Sequence, residues 1–366
     1  CYNVQQIFTL LYQMILCEGS GGLLSVYEFL KEMTATRGIS GDEAPVAKKI
    51  AGAFRPLCDE VTVDAMQNVV ARLGAQGPRV MIAAHLDEIG LMVSQIEEDG
   101  CLRVTSVGGV DPRILPAGRV TVYTQEGPMP GVIGAIAPHL LTAEDRTKNY
   151  KMQDLYVDMG LPESRVRQLV HPGTQVALYG PVRALKNGRY ASKTVDDRGC
   201  VAIMLRAAEL LKNTKIGVQA LFVATSQEEV GSYGAHTVAW ALDPDLGIAI
   251  DVTHGEMPGC EPGQTHPLGK VVLSQGPYID RKLHRRLTEL CKKLRIDYET
   301  SVAPRNTWTD ADDIQIARAG VPTALIELPL KYMHTTVETF CADTLEEAAR
   351  LLAALLAQLG EEEETP

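Results

Sequence analysis

Hydrophobic and polar positions follow two different patterns along the chain. From Leu24 to Thr34 the apolar residues recur at helical spacing, and Arg37-Gly38-Ile39-Ser40-Gly41-Asp42-Glu43 then reads as a turn. A second amphipathic helix is predicted from Ala44 to Ala53, a β-rich stretch from Val61 to Val70 and a strand from Arg79 to Ala84. Between about Leu91 and Ala177 short β-type runs, such as Val120-Thr121-Val122-Tyr123 and Gly131-Val132-Ile133-Gly134, alternate with Gly and Pro turns. That pattern predicts a small β-barrel or sandwich with one helix, Pro162 to Leu169.

Beyond about Leu178 strands and helices alternate again. Strands are predicted at Val218 to Thr225, Gly247 to Asp251, Ile296 to Thr300 and Thr323 to Leu328. Helices are predicted near Tyr233 to Ala241 and at Arg281 to Leu294, Asp310 to Arg318 and Leu345 to Leu359. Such alternation predicts an α/β fold, a mainly parallel sheet covered by helices on both faces. The expected plan is an α/β domain, residues 23–90 and 178–366, interrupted by a β insertion over residues 91–177. Residues 1–22 end in Gly19-Ser20-Gly21-Gly22 and read as an appendage outside the fold.

Composition narrows the function classes. The formal net charge of −11 and the lack of a basic stripe argue against nucleic-acid binding. The cluster from Lys282 to Arg295 is interleaved with Leu283, Leu287, Leu290 and Leu294, as on the solvated face of an amphipathic helix. The acidic run Glu361 to Glu364 reads as a frayed tail. The eight cysteines are scattered without a C-x-x-C pair, which favours free thiols and a cytoplasmic location. No run reaches the ~18 apolar residues a membrane helix needs. The apolar Ile7 to Cys17 has no positive residues before it to make a signal peptide.

Five short polar stretches carry the candidate chemistry. They are His85-Leu86-Asp87-Glu88, Asp196-Asp197-Arg198, Glu228-Glu229 after the strand ending at Thr225, Asp251, and Tyr332-Met333-His334. Several lie directly after predicted strands, and in open α/β sheets sites form outside the carboxyl ends of the strands. Each alone has an ordinary reading: a hydrogen-bonded core histidine, a helix N-terminus, a solvated loop or a turn. Together they read as one grafted site. Burying these groups near one another is costly without compensation, and divalent cations supply it. Two histidines and three carboxylates suffice for two zinc ions if one carboxylate bridges. Imidazole and carboxylate without thiolate suits catalytic zinc, cobalt or manganese. Of the remaining histidines only His254, three residues after Asp251, has a comparable setting.

From about Leu24 onward the chain resembles the M42 aminopeptidases, the tetrahedral type. The resemblance rests on Ile39-Ser40-Gly41-Asp42-Glu43, His85-Leu86-Asp87-Glu88-Ile89-Gly90, Pro138-His139-Leu140, Leu155-Tyr156-Val157-Asp158-Met159-Gly160, Asp196-Asp197-Arg198, Glu228-Glu229-Val230-Gly231 and Thr309-Asp310-Ala311. It implies His85 and Asp251 as ligands of one metal, Glu229 and His334 as ligands of the other, and Asp196 as the bridge. It implies Glu228 as general base and Asp87 as the acid that orients His85. It further implies two divalent ions per subunit (Zn2+ foremost, Co2+ or Mn2+ as alternatives) and peptide substrates cut at their N-termini. The β insertion would be a PDZ-like dimerisation unit, with dimers assembling into a tetrahedral dodecamer. Trp308, Lys331 and Thr335-Thr336 depart from the family pattern and leave substrate preference open.

Other readings stay in view. A di-metal carboxypeptidase or N-deacylase shares the metal logic, a glycosidase would use two carboxylates and leave the histidines idle, and a pure assembly protein would be expected to have lost ligands.

Overall fold

The computed structural model describes residues 21–261 and 263–360. Most of the expected appendage and the whole acidic run lie outside these residues. Gly21 and Gly22, read as part of that appendage, instead open the helix Gly21–Thr34.

One domain is built on an eight-stranded sheet. In spatial order its strands are Glu60–Val63, Val69–Leu73, Gln219–Thr225, Arg79–His85, Leu246–His254, Thr323–Leu330, Val271–Gln275 and Tyr298–Val302. The four from Gln219–Thr225 to Thr323–Leu330 run parallel. Val69–Leu73 and Val271–Gln275 pair antiparallel to the outer members of that group, so the sheet is mixed.

Alternation along a strand sends successive side chains to opposite faces. In Arg79–His85, Val80, Ile82 and Ala84 join the large core under the helices Ala44–Phe54, Val195–Leu211, Arg281–Leu294 and Ala342–Leu359. Met81 and Ala83 join a smaller core under Tyr233–Leu242 and Asp310–Ile314. A strand buried on both faces is a nearly continuous apolar run. All eight residues of Thr323–Leu330 are buried, Glu327 among them. The helix Arg281–Leu294 buries Leu283, Leu287, Leu290, Cys291 and Leu294, and turns its charged face outward. Asp280 caps it by accepting from the N–H groups of Lys282 and Leu283, a contact that contributes about 1 kcal/mol.

The middle of the chain forms a closed six-stranded barrel with its own core. Its strands are Gly90–Ile96, Leu102–Val107, Arg119–Thr124, Gly127–Gly134, Tyr156–Asp158 and Gln175–Leu178. A small third sheet joins Arg183–Ala184, Arg189–Ser192 and Glu338–Cys341, which ties the chain leaving the barrel to the segment just after His334. No helix among the described residues is long and apolar enough to cross a membrane.

Candidate metal centre

The four parallel strands deliver their carboxyl ends to one edge of the sheet. His85 closes its strand, and Thr225, its register partner, closes the next. Glu228 and Glu229 follow Thr225 within four residues, Asp251 lies in Leu246–His254, and His334 follows four residues after Leu330. Asp196 sits in the first turn of Val195–Leu211, where the Asp196–Asp197 peptide is cis. Thr194, Gln227 and His334 all have left-handed backbones. For residues with a Cβ that conformation costs of order 1 kcal/mol or more, and such positions gather at functional sites.

Asp196 is the centre of the arrangement. Its Oδ1 lies 3.0 Å from His85 Nε2, and its Oδ2 lies 3.2 Å from His334 Nε2. His334 Nε2 is also 3.4 Å from Glu229 Oε2, and His85 Nε2 is 3.8 Å from Glu228 Oε2. Donor atoms of His85, Asp196 and Glu229 lie within 4.8 Å of one another, as do those of His85, Asp197 and Asp251. All the expected site residues therefore converge. Asp197 joins the His85–Asp251 group, a placement that its ordinary reading as a helix-terminal charge did not foretell.

The second nitrogen of each imidazole is already engaged. His85 Nδ1 is 3.2 Å from the Asp87 carbonyl and 3.5 Å from Asp87 Oδ1. His334 Nδ1 is 3.1 Å from the carbonyl of Gly109 on the barrel side. A Cβ at Gly109 would come within 2.7 Å of that nitrogen, so only glycine permits the approach. With Nδ1–H donated, each Nε2 would present a lone pair once its own proton is displaced, the tautomer a metal-bound histidine adopts. A lone pair facing a carboxylate oxygen at about 3 Å needs a proton or a cation between them.

The electrostatics agree. Burial pushes the carboxyls of Glu229 and Asp251 well above their ordinary value, and neighbouring carboxylates push the same way. Burial likewise raises Glu228 to about 8, with Asp310, Asp87 and Asp196 adding to it. Asp196 and Asp87 go the other way, Asp87 because bonds from His85, Ser40 and the Glu228 backbone outweigh its burial. Burial would raise Asp196, but hydrogen bonds with His334 and His85 outweigh that and hold it below the usual carboxylate range. Those contacts hold His85 well above its ordinary value, against the effect of burial. The pocket thus concentrates acid groups whose ionised forms lack sufficient positive charge, and its donor set of imidazole and carboxylate fits borderline divalent cations.

Supporting residues fix the ligand segments. Asp87 is fully buried. It accepts from Ser40 Oγ at 2.6 Å and from the backbone N–H groups of Glu228 and Glu229 at 3.1 and 3.3 Å. Asp197 Oδ2 accepts from the His85 N–H at 3.1 Å. Three further residues have roles that sequence reasoning missed. Arg198 is buried and donates to the carbonyls of Leu86, Met33, Thr36 and Gly38. Glu88 pairs with both Lys193 and Arg198. Glu338 accepts three backbone N–H groups from the ligand segments. Glu88 and Arg198 stand inside quoted motifs, but nothing in the sequence near Glu338 marks it.

Comparison with known proteins gives the family. The model of the M42 glutamyl aminopeptidase family matches residues 67–351. A lysyl aminopeptidase from Pyrococcus furiosus is 35% identical over 347 residues, covering 93% of this chain and 99% of the relative. Among solved structures, the aminopeptidase APDkam598 from Desulfurococcus kamchatkensis superposes with a TM-score of 0.84 at 33% identity, over 92% of this chain and 95% of that one. The Pyrococcus horikoshii TET1 peptidase, described as assembling into a tetrahedron or a large octahedral shell, gives 0.80 at 30% identity, over 90% and 99%. The chain belongs to the M42 glutamyl aminopeptidase family and is an aminopeptidase.

Proposed function

We propose that this aminopeptidase is metal-dependent and removes residues from peptide N-termini with two divalent cations and Glu228 as general base. The observation that carries the reading is the placement of Asp196, whose two oxygens face two different imidazoles. His85, Asp251 and Asp196 would hold one cation, and Asp196, Glu229 and His334 the other, with Zn2+ favoured over Co2+ and Mn2+. Two cations held there would polarise the scissile carbonyl, lower the pKa of the attacking water and draw the surrounding carboxyls to their ionised forms.

The chain's own groups do the rest. Glu228 Oε1 is 3.4 Å from Ser232 Oγ, and its backbone N–H is held by Asp87. It takes the proton from the attacking water and delivers it to the leaving amine nitrogen. Asp87 orients His85 and fixes the Glu228-Glu229 turn from the same buried carboxylate.

The domain plan of residues 23–90 and 178–366, with 91–177 inserted, follows the change from α/β texture to barrel and back. The barrel is read as the PDZ-like unit through which copies pair. A groove of about 670 Å³ on it, lined by Val120, Met129, Pro130, Val132, Met159 and Tyr179, supports that role. Assembly into a dodecamer is the natural extension, given the tetrahedron or large octahedral shell described for the Pyrococcus horikoshii relative and the dodecamer described for PhTET1-12s. Cys58, Cys101, Cys200, Cys260, Cys291 and Cys341 are free, which supports a reducing, cytoplasmic setting.

A hydrolysis panel tests the reading. Aminoacyl anilides should be cleaved by cation-loaded protein, lose cleavage on chelation and regain it when Zn2+, Co2+ or Mn2+ is restored. Cleavage that survives complete chelation, or activity confined to N-acyl amino acids or glycosides, would contradict it.

A further inference from the structure

Among the described residues Glu338 makes its hydrogen bonds not to the expected ligand side chains but to the backbone of two ligand segments. Its Oε2 accepts from Val195 N–H at 2.7 Å and Asp196 N–H at 3.1 Å, and its Oε1 accepts from His334 N–H at 3.0 Å. The carboxyl is buried, with the residue 2% exposed. It projects from Glu338–Cys341, whose pairing to Arg189–Ser192 sets its height relative to the Asp196 segment. One carboxylate therefore spans from the bridging aspartate to the histidine of a single cation position.

The His85 side is secured differently. The His85-to-Glu88 segment is held by Arg198, by the Glu88–Lys193 pair and by the Asp197 contact to the His85 N–H. None of these bonds involves Glu338. His334, by contrast, has a left-handed backbone at φ +59 in a loop that Glu338 grips by its N–H.

We propose that Glu338 is a positioning residue that sets the spacing of Asp196 and His334, so that losing it weakens the cation held by His334 and Glu229 while sparing the one held by His85 and Asp251. The inference rests on the two-cation reading above. Removing an outer partner of a metal ligand typically lowers affinity ~10–100-fold. Here that loss falls on one cation of the pair.

The test is Zn2+ stoichiometry and affinity, by chelator competition and metal analysis after dialysis, on wild type, Glu338→Gln and His334→Ala. Glutamine nearly preserves the shape, but its NH2 group must face an N–H donor on one side of the clamp. Wild type should retain two ions per chain. Glu338→Gln should match His334→Ala, retaining one ion tightly and binding the second ~10–100-fold more weakly. Two tight ions in Glu338→Gln, or loss of both from folded protein, would overturn the proposal. Wild type binding no ions would instead sink the two-cation reading itself.

A second measurement does not depend on the variant folding. In metal-free wild type, peptides covering residues 193–197 and 332–336 should already be protected from amide hydrogen exchange. Rapid exchange there, with protection only after Zn2+ is added, would show that the cations and not Glu338 set the spacing.

Discussion

Glu228 and Glu229 are adjacent in sequence and differ in what they face. Glu229 reaches the Nε2 of His334, whereas Glu228 approaches the Nε2 of His85 from farther away and keeps one oxygen near Ser232. The strand before them ends at Thr225, and Asp87 then holds both backbone N–H groups, so the pair cannot exchange places. Glu228→Gln should therefore keep both cations and slow turnover by roughly 10²–10⁴, the usual contribution of a positioned general base. Steady-state kinetics with metal analysis on the same sample decides it. A variant as fast as wild type, or one that binds no cation, would reassign Glu228. At this scale the sequence was most legible where a side chain is itself a candidate ligand. The function of Glu338 was illegible because it acts on backbone groups, which have no signature in residue identity.

Secondary structure elements explain why the polar groups can be buried. The strand Thr323–Leu330 is enclosed at every position, and Glu327 inside it accepts from Ser274 Oγ at 2.6 Å. Burial raises the Glu327 carboxyl above its ordinary value of 4.5, and the Ser274 bond only partly opposes this. The folded state thus holds the Glu327 proton to higher pH than the unfolded chain does. Below pH 4.5 both states are protonated and the residue costs nothing through its charge. As pH rises from there to the folded value the native state loses stability relative to the unfolded state. Glu327→Gln keeps an oxygen acceptor for Ser274 and removes that titration. In metal-free protein its urea midpoint should exceed that of wild type by a margin that widens from pH 4.5 toward neutrality. A margin independent of pH would show that Glu327 is not buried as an acid. Periodicity predicted the helix Arg281–Leu294 with its bounds, because its leucine stripe is a local signal. The strand Val271–Gln275 and the sheet joining Arg189–Ser192 to Glu338–Cys341 went unread, because distant pairing rather than local pattern makes them strands.

Across the whole molecule, the site lies where five pieces of chain separated in sequence meet. The sheet contributes His85, Asp251 and the Glu228-Glu229 turn. The helix Val195–Leu211 contributes Asp196, and the barrel side reaches His334 through the Gly109 carbonyl. Gln175 in the barrel also donates to the Ser40 carbonyl at 3.4 Å, beside the Ser40–Asp87 bond. The barrel was legible as a change of texture between about Leu91 and Ala177, because its short strands and Gly and Pro turns are local signals. Its contact with His334 was not, since a backbone carbonyl 225 residues away leaves no trace in either segment.

Everything proposed for the site depends on Asp196 lying between two cations. Crystals equilibrated with Zn2+ and measured at the zinc absorption edge test it most directly. Two anomalous peaks per chain are expected about 3.5–4 Å apart, one beside His85 and one beside His334, with Asp196 in contact with both. A single peak, or two peaks that leave Asp196 bound to neither or only one, would contradict it.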